Sequence, residues 1–150
     1  MPFPLPDPMK LALACAREAA GAGEVPVGAV VTREGEVIAT SANMMRGSHD
    51  PTAHAEIVAL RRAAKILTTS RLDGCDLWVT LEPCAMCAGA IALARISRLY
   101  YAADDPKGGA VANGPRLFTQ PTCHHQPDVY PGIGESEAGE MLKKFFAERR

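Results

Sequence analysis

DLWVTLEPCAMCAGAIALARISRLYYAA, residues 76–103, decides how this chain folds. DLWVTLE (76–82) is rich in Leu, Trp, Val and Thr and reads as a strand. PCAMCAGAIALAR (83–95) opens on a proline, which a first helical turn tolerates, and continues in helix formers. SRLYYAA (97–103) reads as a second strand. Strand–helix–strand alternation of this kind implies parallel pairing with the helix packed on a face of the sheet.

The pattern extends in both directions. Upstream, Asp7 and Pro8 resemble an N-cap with proline at the first helical position. Met9, Ala12, Ala16 and Ala19 then recur at helical spacing until Gly21 and Gly23 stop the run. VGAVVT (27–32) and EVIATSA (36–42) predict a hairpin around Gly35, and residues 52–67 predict a helix. Downstream, ESEAGEMLKKFFAERR (135–150) predicts a final helix. Residues 104–134 are rich in Pro and Gly, which suggests a functional loop holding one short strand near Asp128–Tyr130. The expectation is an α/β fold in a single domain, 1–150.

Bulk properties narrow the function classes. The 150 residues are 47% hydrophobic and 22% charged, as in ordinary globular domains. No apolar stretch is long enough to span a bilayer, and MPFPLPDPMK lacks the basic-then-apolar order of a secretory signal. Five cysteines, an odd number, fit a reducing compartment better than a disulfide framework, so a cytoplasmic location is expected. A net charge of −1 argues against a long duplex partner, so any nucleic-acid contact is local.

EPCAMC (82–87) admits a redox dithiol, a structural zinc knuckle or half of a catalytic metal site. Cys84 and Cys87, three apart at a helix start, face the same way, and the positive end of the helix dipole favours thiolates. His54 and Glu56 stand upstream at the start of another helix, behind Pro51. One imidazole and two thiolates make three ligands; a closed structural zinc site takes four, and a catalytic one leaves the fourth place to water. That donor set favours zinc over magnesium or calcium. The ion lowers the pKa of such a water towards ~7, and a nearby carboxylate such as Glu56 then accepts its proton. On a regular helix, positions i and i+2 do not share a face, so His54 has to lie at the very start of its helix.

HAE (54–56) and PCAMC (83–87) together match the zinc deaminase signature, H-x-E followed by P-C-x-x-C. EVPVGAVV (24–31), HDPTAHAEIVALR (49–61), VTLEPCAMCAGAI (79–91) and ARISRLYYAADDPKGGA (94–110) widen the likeness. The chain resembles the bacterial tRNA-specific adenosine deaminases, a branch of the cytidine-deaminase-like zinc deaminase superfamily. The resemblance implies a three-layer α/β/α fold with a mixed sheet of about five strands, a homodimer, and adenosine-to-inosine conversion at the wobble position of a tRNA anticodon loop. It makes His54, Cys84 and Cys87 the ligands of one Zn²⁺ per chain and Glu56 the proton shuttle. Asn43 would hydrogen-bond the base, and Asp105 would lie against the flipped nucleotide and its neighbours. Phe145, Phe146, Arg149 and Arg150 would meet RNA.

Three alternatives stay open: a zinc deaminase of a free nucleobase or small nucleoside (guanine or cytosine type), a non-catalytic zinc-stabilised RNA-binding module, and a thiol–disulfide oxidoreductase. Glu82 reads as an acidic residue favoured near a helix N-terminus. Cys15 and Cys75 read as small core residues. Cys123-His124-His125 suggests a groove lining more than a second metal site. Residues 83–94 carry no charge, so the helix they form needs cover on every side, and a second subunit is a natural cover.

Overall fold

Strand alternation sorts the apolar side chains of this chain onto two faces of one sheet. The computed structural model describes residues 4–149. The elements are α1 (Asp7–Gly21), β1 (Gly28–Arg33), β2 (Glu36–Ala42), α2 (Ala55–Leu67), β3 (Cys75–Leu81), α3 (Ala85–Ala94), β4 (Arg98–Ala103), β5 (Asp128–Tyr130) and α4 (Glu135–Ala147). A single 3-10 turn, Leu117–Thr119, interrupts the long stretch before β5. The strand order is β2-β1-β3-β4-β5.

Val30, Trp78 and Ala102 face α1 and α4, packing on Met9, Leu13 and Ala138. Val31, Leu77, Val79, Leu99 and Tyr101 face the other way, onto Ala59 and Leu60 of α2 and Ala88 and Ile91 of α3. The outcome is the expected helix–sheet–helix sandwich, whose opposed cores follow from the two-residue period of a strand. Fully burying side chains of the size of Leu13 or Ile91 stabilises the fold by roughly 1.5–3 kcal/mol each. Gly28 lets α1 close on β1: a Cβ there would strike Ala12 O and lie 2.7 Å from Ala16 N.

The expectation of parallel pairing holds for part of the sheet. β3, β4 and β5 run parallel, while β1 is antiparallel to both β2 and β3. Glu34 (φ 52°) and Gly35 (φ 79°) close the β1–β2 hairpin with both central residues at positive φ, the two-residue turn that matches strand twist. β2, antiparallel to β1, therefore points the same way as β3 and β4. The segments that leave those three strands emerge at one edge of the sheet, where α/β folds place their ligands. Among the described residues no helix is long and apolar enough to cross a membrane.

Candidate active site

α2 begins at Ala55, not at residue 52 as the helical pattern suggests. Asp50 Oδ1 accepts from Thr52 N at 2.9 Å and from Thr52 Oγ1 at 2.7 Å, and this closed turn keeps the chain out of the helix. His54 is the N-cap, extended at φ −65° and ψ 150°, and its carbonyl accepts the first helical bond from Val58 N. A residue in that conformation is not bound to the helical face pattern. That is how His54 and Glu56, two apart, come to share one cavity.

α3 repeats the arrangement. Pro83 and Cys84 precede it, and Cys84 is an extended N-cap (φ −74°, ψ 177°) rather than a residue of the helical face. Cys87 lies three positions on, where a side chain naturally meets that of the N-cap. Both helices therefore aim their positive ends at one point. His54 Nδ1 lies 3.6 Å from Cys84 Sγ and 3.4 Å from Cys87 Sγ. Among the described residues these three form the one His/Cys/Asp/Glu group with metal-ligand spacing, their donor atoms all within 4.8 Å of one another.

The three donors shift one another's proton affinity. A hydrogen bond from the Cys87 thiol, helped by His54, lowers the Cys84 pKa to about 4. The same bond, then burial and the neighbouring Glu56, raises Cys87 far above its ordinary value. Hydrogen bonding to Cys84 raises His54. Two sulfurs and one imidazole nitrogen are the donors that zinc takes, and they leave a coordination place free. Glu56 is 4% exposed, and desolvation lifts its pKa to about 6.

The cavity above the cluster is about 200 Å³, lined by Val25, Val27, Asn43, Met45, Leu81 and Asp105 besides the titratable groups. Ligand sites usually run ~300–1,000 Å³, so this one suits a single flat ring system. Asn43 donates from Nδ2 to Val25 O at 3.3 Å, and its Oδ1 is the one buried side-chain polar atom left without a partner among the described residues. The apolar wall of Val25, Val27, Met45 and Leu81 went unassigned in the sequence, where EVPVGAVV offers no reactive side chain to mark it.

A wider groove of about 670 Å³ adjoins the cavity, sharing Val25, Leu81 and Asp105 and adding Lys107, Phe146 and Arg149. Asp105 keeps one foot in each, although its Oδ1 is engaged by Lys107 N and Gly108 N in a local turn. Phe146 is 49% exposed. Phe145 corrects the expectation made for it. It is 6% exposed and belongs to the core, with the Arg149 guanidinium 3.5 Å from its ring centre. Arg150 lies outside the described residues.

Cys123-His124-His125 forms no second metal-spaced group among the described residues. Cys123 Sγ donates to His125 O, and His125 Nε2 contacts Ile96 O, so the run is tied into loop structure. It borders a depression of about 320 Å³ against α3, away from the metal-spaced cluster. Cys15 and Cys75 are buried as expected.

Comparison with known proteins agrees with this geometry. The profile of the MafB19-like deaminases matches residues 6–150. A tRNA-specific adenosine deaminase of Agrobacterium fabrum is 59% identical over 142 residues, covering 95% of this chain and 93% of the relative. A solved structure described as a study of A-to-I editing by tRNA:A34 deaminases at the wobble position of transfer RNA superposes with a TM-score of 0.89 at 59% identity, covering 90% of this chain and 98% of the other. A guanine deaminase structure from Bacillus subtilis is more distant, with a TM-score of 0.64 and 36% identity over 95% of this chain and 91% of its own.

Proposed function

We propose, from the premise that this chain belongs to the MafB19-like deaminase family, that it hydrolyses adenosine to inosine at the wobble position of a tRNA anticodon. The observation that carries the reading is the meeting of His54, Cys84 and Cys87 within 4.8 Å beside a buried Glu56. Three donors and a proton carrier suit catalysis; a purely structural site has no need of the carboxyl group. High identity to relatives named for the tRNA reaction favours RNA over a free base.

His54 Nδ1, Cys84 Sγ and Cys87 Sγ would hold one Zn²⁺. When bound, zinc acts as a Lewis acid that makes a water nucleophilic near neutral pH. Glu56 does the proton work. Buried beside the ligand cluster, its carboxyl group is placed to accept a proton from the attacking water and release it again. It delivers that proton to ring nitrogen N1 of adenine as the oxygen adds at C6. A proton then passes through Glu56 to the exocyclic amine, the C6–N bond breaks, ammonia departs and the hypoxanthine base of inosine remains. Asn43 Oδ1 waits for a donor on the base edge, and the apolar wall excludes water from its faces.

The base has to be splayed from its stack to reach so narrow a cavity, which an anticodon loop permits. Flanking nucleotides then lie in the groove of Asp105, Lys107, Phe146 and Arg149. The reading takes 1–150 as one cytoplasmic deaminase domain working as a homodimer. Leu93, 82% exposed on the uncharged α3, lines the 320 Å³ depression, and a second copy is its fitting cover. Zinc-loaded protein should convert the wobble adenosine of an anticodon hairpin and leave free guanine and cytosine unchanged. Turnover of free guanine with no inosine in the hairpin would transfer the assignment to a free-base deaminase.

A further inference from the structure

Glu82 is 2% exposed and sits two residues before Cys84, yet the proton steps above do not use it. Its carboxylate is saturated by the loop that follows β4. Oε1 accepts from Asp105 N at 3.0 Å and from Asn113 Nδ2 at 2.7 Å. Oε2 accepts from Val111 N, Ala112 N and Asn113 N, each at 3.0 Å. Three successive amides converging on one oxygen form an anion-binding concavity made by the backbone itself.

The loop is shaped around this carboxylate. A Cβ on Gly109 would lie 2.5 Å from Glu82 Oε2 and 2.6 Å from Asp105 O, so only glycine lets the chain wrap so closely. Glu82 N donates to Ala103 O, and Ala110 N donates to Pro83 O, which ties the same loop to the segment leading into Cys84. Asp105, pinned through its own amide, borders both the base cavity and the groove beyond it.

We propose that Glu82 is a positioning residue: its buried carboxyl group, through the bonds it accepts, holds residues 105–113 in the one conformation that places Asp105 between the flipped base and the flanking nucleotides. The inference rests on the RNA-editing reading for its functional readout. Glu24 does a similar service on the opposite rim, accepting from Arg46 N at 3.0 Å and Gly47 N at 2.7 Å beside Met45. Glu82 differs in carrying more bonds and in governing a residue of both chambers.

The test compares zinc-loaded wild type, Glu82→Gln, Asp105→Ala and the double variant. A glutamine presents an amide where five donors require acceptors, so the loop loosens. Hydrogen exchange should rise across 105–113 in Glu82→Gln with zinc content unchanged. The KM for the anticodon hairpin should rise by about 10–100-fold, in the range that misplacement of ~1 Å brings, while kcat falls less. The double variant should be no worse than the poorer single one. Gly109→Ala, which keeps the Glu82 side chain but forces loop and carboxylate apart, should show the same exchange and KM changes. Unchanged exchange, multiplying losses in the double variant, or loss of zinc would overturn the proposal. So would unfolding of both Glu82→Gln and Gly109→Ala, which would make Glu82 a folding residue. A wild type that leaves the hairpin unedited would remove the RNA reading, and exchange would still decide the loop's dependence on Glu82.

Discussion

Replacing Asn43 by leucine should make the protein more stable and less active. In the free protein Asn43 contributes one side-chain bond, Nδ2 to Val25 O at 3.3 Å, near the long limit for such bonds. A bond of that kind is worth about 0.5–1.5 kcal/mol net. Its Oδ1 is buried without a partner, a penalty of roughly 1–3 kcal/mol. Leucine keeps the branching and heavy-atom count of asparagine, its extra bulk can extend into the adjoining cavity, it removes the penalty and it faces the apolar Val25 and Val27, while the bond from Asn43 N to Val27 O is kept because it is backbone. The balance favours Asn43→Leu by about 1 kcal/mol, or ~2–4 °C in Tm for a domain near this size. Activity moves the other way: losing the donor and acceptor that read the base should lower kcat/KM on the hairpin about 10–100-fold. Melting of the zinc-loaded variants and inosine formation measure the two effects side by side. A variant that melts several degrees lower and edits as well as wild type would refute the assignment, since Asn43 would then be a structural residue.

Phe145→Ala should destabilise by about 3–5 kcal/mol because the ring is core, whereas Phe146→Ala should leave Tm nearly unchanged and raise KM for the hairpin; urea unfolding and kinetics separate them. Gly28→Val should fail to fold to a stable product, as seen by circular dichroism, because α1 cannot back away from β1 without exposing Met9 and Leu13. Cys87→Ser should lower zinc content and abolish turnover together; full zinc with no turnover would separate ligation from catalysis. Leu93→Asp should give a monomer in light scattering where wild type gives a dimer, and equal masses would argue against α3 as the interface.

The elements of this fold were readable because β-branched and aromatic residues mark the strands, as in DLWVTLE, while helix formers and flanking Pro or Gly mark helices such as α1. What escaped was decided by tertiary context. The start of α2 moved to Ala55 because the Asp50 side chain captures Thr52, a local bond that hydrophobic periodicity does not record. Pairing direction at β1 follows from its hairpin with β2, while strand–helix alternation reports only on β3 onward. His54, Glu56, Cys84 and Cys87 stood out since reactive side chains at fixed spacing survive in one dimension. Glu82 did not, because its partners lie 23 to 31 residues away and are mostly backbone amides, which every residue type but proline offers. Phe145 and Phe146 are adjacent aromatics of identical type, and only the packing of α4 reveals which one turns inward.

X-ray absorption at the zinc edge of the purified protein tests the centre of the account most directly. The expected spectrum has two sulfur neighbours, one imidazole nitrogen and one further light atom from water, at one zinc per chain, matching the donor set of His54, Cys84 and Cys87. A third sulfur, a second imidazole, or a chain purified without chelator that holds no zinc would contradict it.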